Sequence, residues 1–326
     1  MAKSEIKILH VINRLDQGGA SFGLLNQIVD GPKGFSHSIL SLKPSTMAQT
    51  QYCRQHRIPL FIDTYNDHDL TDFLSSFDLI QIEWWNTPLL VDFILNRPLG
   101  AVRLLLNSRA HFDAPYMCPS PLILSRLSTL SVTTPSAALN PAFKECWAMI
   151  NTEKGIEDHR VPCLFSALSQ HTRATTSNFS SLPFKKQPTG FSLGYLGTIE
   201  TIKMHDQIIK MIAELMSRHA ELVFYFAGNG HLDFLRKQFK ALGLEKRVHF
   251  LGFTARPEEF LKEIDLLFYP LNPYTYATSE KVVQEAMHVG CPVAALPYGG
   301  LKDILNKENS VLAESVSDLI EKTSFY

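Results

Sequence analysis

Thr278-Ser-Glu-Lys-Val-Val-Gln-Glu-Ala-Met-His-Val-Gly-Cys-Pro-Val-Ala-Ala-Leu-Pro-Tyr-Gly-Gly300 is the stretch that decides how the chain is read. Val282, Val283, Ala286 and Met287 recur with helical spacing, Thr278 or Ser279 can cap the start, and Gly290 can supply the left-handed residue that ends the helix. Cys291 to Leu296 is a near-continuous apolar run bounded by Gly290 and Pro297, the pattern of a parallel strand covered on both faces. The Tyr298-Gly299-Gly300 turn then falls at a strand's carboxyl end, where open α/β sheets bind ligands.

Such a helix offers free amides at its amino terminus, near Thr278, Ser279 and Lys281, and one carboxylate, Glu285, about two turns in. Amides suit an anionic group, and a carboxylate accepts hydrogen bonds from two vicinal hydroxyls. Phosphate at the helix start with ribose at Glu285 describes a nucleoside diphosphate. The alternative is that Glu285 is a solvated helix residue.

Glu285-Ala-Met-x-x-Gly-x-Pro-Val followed by a Gly-Gly turn resembles the nucleotide-sugar motif of the group-one glycosyltransferases, family four, which are retaining enzymes of the GT-B fold. In that family two glutamates eight positions apart belong to the motif. The resemblance puts Glu285 at the second, the ribose ligand, and the first falls on Ala277. The first glutamate faces the donor sugar, and here Glu280, three residues on, is the carboxylate at hand. That departure marks a diverged member and leaves a catalytically inactive homologue, acting as a binding or scaffold protein, as an alternative.

The 326 residues, 45% hydrophobic and 19% charged, suffice for two α/β domains. A formal net charge of −1 argues against a nucleic-acid binder, which carries a basic excess or stripe. Cys53, Cys118, Cys146, Cys163 and Cys291 are scattered without a CxxC pair, so neither a zinc site nor a disulfide framework is suggested. The amino terminus passes directly into a strand without an apolar signal region, and no run of about 18 apolar residues occurs. A cytoplasmic location is the expectation, with the inner face of a membrane as a place of peripheral contact.

Ile6 to Ile12 reads as a buried strand, followed by the loop Asn13-Arg-Leu-Asp-Gln-Gly-Gly-Ala20 and a helix from Phe22 to Val29. Taken alone, Gly18-Gly19 reads as a plain turn as readily as a ligand loop. The resemblance implies that these glycines let backbone amides approach the donor phosphates or the acceptor. Further strands read at Ser36 to Leu42, Leu60 to Ile62, Asp78 to Glu83, Val102 to Asn107 and Leu127 to Thr133. Trp84 and Trp85 can stack on a sugar whose rim bonds to Glu83 and Asn86, or belong to the core. The resemblance points to His111, just past a strand, as a residue near the donor sugar, with Arg109 and Asp113 as neighbours able to act instead. Asp67-His-Asp69 reads as solvated carboxylates in a loop, so no metal site is assigned.

The polar, proline-interrupted stretch 169–190 reads as a linker between an acceptor domain at 1–168 and a donor domain at 191–326. Phe191 to Gly197 is a strand ending in glycine, followed by Thr198, Lys203 and a helix from His205 to about Arg218. The resemblance places a basic pair here to neutralise a diphosphate; Lys203 matches the lysine and Thr198 replaces the arginine. A strand over Leu222 to Ala227 with the Gly228-Asn-Gly230 turn, the Val248-x-Phe250-x-Gly252 strand and the Asp265-x-x-x-x-Pro270 strand match the family in order and spacing. Backbone around Val248 to Phe253, with Phe250 at its centre, is where the base would lie. A last helix reads from Val316 to Lys322, after which family members continue into a helix that crosses back to the first domain.

The resemblance therefore implies two Rossmann-like parallel-sheet domains facing a central cleft. Its activity is a retaining, metal-independent hexosyl transfer, as in polysaccharide biosynthesis, from a UDP- or GDP-type nucleotide sugar to a glycan, lipid-linked or small-molecule acceptor. No cofactor and no nucleic acid is expected. His111, Glu280 and Lys203 are the expected catalytic residues; Gly18, Gly19, Gly197, Thr198, Lys203, Gly228, Phe250, Thr278, Ser279, Lys281 and Glu285 are the expected nucleotide-sugar ligands. A GT-B nucleotide-sugar epimerase shares the architecture but requires additional acid and base carboxylates.

Overall fold

The computed structural model describes residues 5–16, 18–156, 160–164, 190–254 and 256–326. The chain divides into two compact units, Met1–Ser169 and Gln170–Tyr326. The linker expected over 169–190 lies, apart from Gly190, outside the described residues.

In the first unit six strands pair in parallel: β1 (Ile6–Ile12), β2 (Phe35–Ser41), β3 (Leu60–Ile62), β4 (Leu79–Trp84), β5 (Leu104–Ser108) and β6 (Thr129–Val132). Their order is β3-β2-β1-β4-β5-β6. Parallel neighbours require crossovers, and helices such as Gly19–Val29 after β1 and Pro88–Leu95 after β4 supply them. Both faces of the sheet are thus covered, which is why β1 carries Leu9 and Val11 with no exposed surface on one side and the buried His10 on the other.

The second unit repeats the plan with β7 (Ser192–Leu196), β8 (Val223–Ala227), β9 (Val248–Gly252), β10 (Leu266–Phe268), β11 (Val293–Ala295) and β12 (Val311–Leu312), ordered β12-β11-β10-β7-β8-β9. Its pairs are parallel throughout. Leu193, Tyr195, Phe224, Phe226, Leu267 and Phe268 from the central strands are wholly buried and form the heart of one apolar cluster. In each sheet the first strand, β1 or β7, lies between neighbours reached in opposite directions, so the chain order reverses beside it.

Two local expectations are corrected. The key helix begins at Lys281 with Glu280 as its cap residue, and the Glu280 side chain makes no capping bond. The Glu280 N–H donates to the Thr278 carbonyl at 2.8 Å, so a tight turn leaves Thr278 and Ser279 ahead of the cap position rather than in it. Glu285 consequently lies about one turn in, not two. The helix does end at Gly290 in the left-handed region, φ 78°. Asp67 and Asp69 lie in the first turn of a helix, Asp67–Ser75, not in a loop. Asn66 caps it by accepting the Asp69 N–H at 3.0 Å, and Arg97 Nε donates to Asp67 at 3.1 Å. Carboxylates at that position favour the helix dipole, which is the signal the polar reading passed over.

Candidate functional site

Open α/β sheets bind ligands at the carboxyl ends of strands where the chain order reverses. In the second unit that place lies between β7 and its two neighbours, β8 and β10. Gly197 follows β7 with φ 137°, and Gly228 follows β8 with φ 144°. A Cβ on Gly228 would stand 1.8 Å from the Gly197 carbonyl oxygen, so the two strand ends touch through bare backbone. From the point where a Gly197 Cβ would sit, the Tyr269 hydroxyl is 3.6 Å away, the Lys203 ammonium 3.8 Å and the Tyr195 hydroxyl 4.0 Å.

Lys203 is delivered there by a turn in which its N–H donates to the Glu200 carbonyl and its own carbonyl accepts the Asn272 N–H. Its Nζ lies 3.1 Å from Glu280 Oε2, with only 12% and 11% of the two side chains exposed. At that burial, solvent and salt screen the pair far less than at a surface. Tyr269, directly after β10, donates its hydroxyl to the same Glu280 oxygen at 2.6 Å. Tyr195, on β7, donates to the Thr198 carbonyl at 2.9 Å. Both phenols are pushed well above their ordinary range, first by burial and then by the Glu280 charge, so they remain donors.

The structure therefore brings Gly197, Thr198, Lys203, Gly228 and Glu280 together. Thr278 and Ser279 lead into Glu280, and Gln284 donates to the Ser279 carbonyl at 3.3 Å. Ala277 is buried; its carbonyl accepts the Gly300 N–H at 2.9 Å, which ties the Tyr298-Gly-Gly turn to the segment entering the helix.

Glu285 and Phe250 have surroundings of their own. Glu285 is half-buried, and burial pushes its carboxyl up to about 7, with the Lys281 ammonium opposing the shift and Glu258 adding to it. That rules out a freely solvated helix residue. Phe250, on the edge strand β9, stacks on Phe226 at 5.2 Å and 6°, and the Arg236 guanidinium lies 5.2 Å from its ring centre.

In the first unit, Gly18 donates its N–H to Asp16 Oδ1 at 2.8 Å and precedes the helix that starts at Gly19. His111 is completely buried: its Nδ1 accepts the Asp113 N–H at 3.1 Å and its Nε2 lies 2.9 Å from Ser136 Oγ. Glu83 is not a sugar-facing group. It is buried at the centre of a polar network, accepting from Arg109 Nε at 2.6 Å, Gln81 at 2.6 Å, Asn107 at 3.2 Å and His10 Nδ1 at 3.1 Å. Burial raises its pKa, but Arg109 and His10 outweigh that and bring it down to about 2. Trp84 belongs to the core, its Nε1 donating to the Met117 carbonyl at 2.8 Å, and Trp85 packs partly buried against the same cluster.

Among the described residues no group of three or more His, Cys, Asp or Glu side chains gathers where it could hold a metal ion. A concavity between the helices Ile208–Arg218 and Val316–Phe325, lined by Lys210, Arg218, Ile320 and Phe325 among others, contains none of the expected site residues. Sequence reasoning missed Tyr269 and Tyr195. The signal was present: each hydroxyl-bearing ring sits at or near the carboxyl end of an apolar strand, where a side chain meets the ligand face.

Residues 190–325 match the model of the family described as Glycosyl transferases group 1, and the second unit is thus the domain of a glycosyltransferase. No curated protein matches the chain. Among solved structures, HepE of Anabaena in complex with UDP and glucose is similar at 18% identity over 98% of this chain and 89% of its own, with a TM-score of 0.71. A glycosyltransferase from Rickettsia africae reaches 0.69 at 11% identity, covering 98% and 88%. The lipopolysaccharide outer core galactosyltransferase WaaB reaches 0.65 at 13% identity, covering 98% and 89%. The fold is the α/β GT-B fold, built from two Rossmann-like parallel-sheet units.

Proposed function

We propose that this glycosyltransferase is a retaining, metal-independent hexosyltransferase that uses a UDP- or GDP-type nucleotide sugar. The observation that carries the reading is the Lys203–Glu280 pair over Gly197, at the reversal point of the second sheet. It is supported by the group 1 match over the same unit and by HepE, which was solved with UDP and with UDP-glucose.

In this reading Lys203 and the amides at the start of the helix Lys281–Val289 receive the diphosphate. Charge builds on the leaving phosphate oxygen as the bond to the anomeric carbon breaks, and an ammonium at a poorly screened site stabilises that charge. The acceptor hydroxyl forms the new bond to that carbon, and its proton departs with the nucleoside diphosphate. Glu285 accepts from the ribose hydroxyls, and the backbone near Phe250 meets the base. Glu280 takes the place of the carboxylate missing at the buried Ala277. Gly18, Gly19 and His111 serve the acceptor and sugar side. The acceptor is a glycan, a lipid-linked glycan or a small molecule. All five cysteines are free, which fits a reducing, cytoplasmic setting, with the inner membrane face as the place of a lipid-linked acceptor.

Calorimetric titration with UDP, GDP and ADP, followed by mass spectrometry of products from the corresponding sugars, tests this. Binding of a nucleoside diphosphate with sugar transfer is the expected result. A second reading, a binding protein without turnover, is favoured by one observation: Glu280 already neutralises Lys203. Tight nucleotide binding with no product from any donor would select it.

A further inference from the structure

Three features single out Tyr269 within the Lys203–Glu280 cluster. Its hydroxyl, on a fully buried side chain, donates to Glu280 Oε2 at 2.6 Å, the oxygen that Lys203 Nζ approaches at 3.1 Å. Its ring is fixed: it stacks on Tyr195 at 5.3 Å and 23°, and its backbone N–H donates to the Ala294 carbonyl at 2.8 Å. The other carboxylate oxygen, Oε1, has no hydrogen-bond partner among the described residues, although the side chain is only 11% exposed.

Oε1 is not sealed off from solvent, so it stands open to a ligand while Oε2 is held. A carboxylate at the mouth of a helix whose sole partner was a lysine would follow that lysine. When a diphosphate arrives, Lys203 must exchange carboxylate for phosphate, and the glutamate left behind is repelled by the incoming charge. A neutral donor that does not leave with the lysine removes the difficulty.

We propose that Tyr269 is a positioning residue for glycosyl transfer: it clamps Glu280 through Oε2 while Lys203 turns to the diphosphate, and so keeps Oε1 directed at a hydroxyl of the donor sugar. The inference rests on the glycosyl-transfer reading. It adds to that reading the group that lets one carboxylate serve the sugar beside a doubly charged leaving group. Burial holds the phenol protonated throughout the neutral range, so the clamp remains a donor.

Tyr269→Phe keeps the ring and its stacking and removes the donor alone. Losing a hydrogen bond to a charged group predicts a fall in kcat of about ten- to a hundredfold. The Kd for the bare nucleoside diphosphate should change by less than about threefold, because Lys203 and the helix amides remain. The melting temperature should stay near that of wild type. In a Glu280→Gln background, with residual transfer read by mass spectrometry, adding Tyr269→Phe should cost no more than about twofold, since the two act as a unit. Wild-type kcat in Tyr269→Phe would overturn the inference. So would losses that multiply in the double variant, which is what a purely structural tyrosine produces. If wild type neither binds a nucleoside diphosphate nor transfers a sugar, the glycosyl-transfer reading itself fails and the inference falls with it. An active wild type with an indifferent Tyr269→Phe sinks the inference alone.

Discussion

Glu285→Gln is the substitution whose outcome is most closely set by the structure, because burial holds the Glu285 carboxyl near 7 in the unliganded protein. Ribose hydroxyls donate, so they favour the ionised form, and nucleotide binding must draw Glu285 into that form. With a midpoint at about 7, the ionised fraction is roughly 0.9 at pH 8 and roughly 0.1 at pH 6, so this group alone weakens binding about tenfold, or 1.4 kcal/mol, over that interval. The terminal phosphate of a nucleoside diphosphate titrates in a similar range and must be separated. Glu285→Gln does this, since the ligand's own titration is common to both proteins. At pH 8 the variant should bind about ten- to a hundredfold more weakly, for a loss on the order of 1.5–3 kcal/mol. By pH 6 the gap should narrow by about tenfold. Isothermal titration in two buffers of different ionisation enthalpy counts the proton released. The same shift has a stability consequence. The folded pKa is raised from 4.5, so the native state holds this proton more tightly, and stability from the group is fully present below 4.5 and is lost as pH rises through 7. Parallel pH slopes for wild type and Glu285→Gln, or equal affinities at pH 8, would show that Glu285 does not touch the nucleotide.

Lys203→Ala should weaken nucleoside diphosphate binding steeply, by at least about tenfold, because Thr198 supplies no charge and the helix amides are left alone with Glu280; titration calorimetry reads it. Saturating chelator should leave nucleotide affinity and transfer rate unchanged, and a large loss of either would bring metal chemistry back. Glu83→Gln should destabilise the first unit by about 3–5 kcal/mol, since it leaves the Arg109 guanidinium buried beside a neutral amide; urea unfolding at pH 7 measures this. The Glu83 pKa is depressed from 4.5 to about 2, so its contribution is present above 4.5 and lost as pH falls toward 2. Wild type should therefore lose about 3 kcal/mol over that window and Glu83→Gln should not.

The difference between what the sequence disclosed and what it withheld follows from the range of the interactions. Strand positions depend on predominantly apolar runs, and β1, β3 and β8 fall where those runs lie, because the inward-facing positions of a covered sheet have little freedom to be polar. The helix end at Gly290 is equally local, since one glycine in the left-handed region is enough to stop it. The helix start is not local: the hydroxyls of Thr278 and Ser279 look like caps until the turn at Glu280 carries the chain past them. Lys203 and Glu280 stand 77 positions apart, and nothing in either neighbourhood announces that they meet at 3.1 Å. Glu83 gave a misleading signal for the same reason. A glutamate before two tryptophans at a strand's end reads as a sugar contact, whereas Arg109 and His10, from other parts of the chain, convert it into a buried charge centre. Tyr269 combines both cases. Its place after β10 was written in the apolar run, but its role depends on which carboxylate the helix start presents to it, and that is fixed only when β7 and β10 pair. Functional side chains here are therefore legible in kind from the strand ends that carry them, and legible in role only from the partners that a parallel sheet assembles across distant stretches of chain.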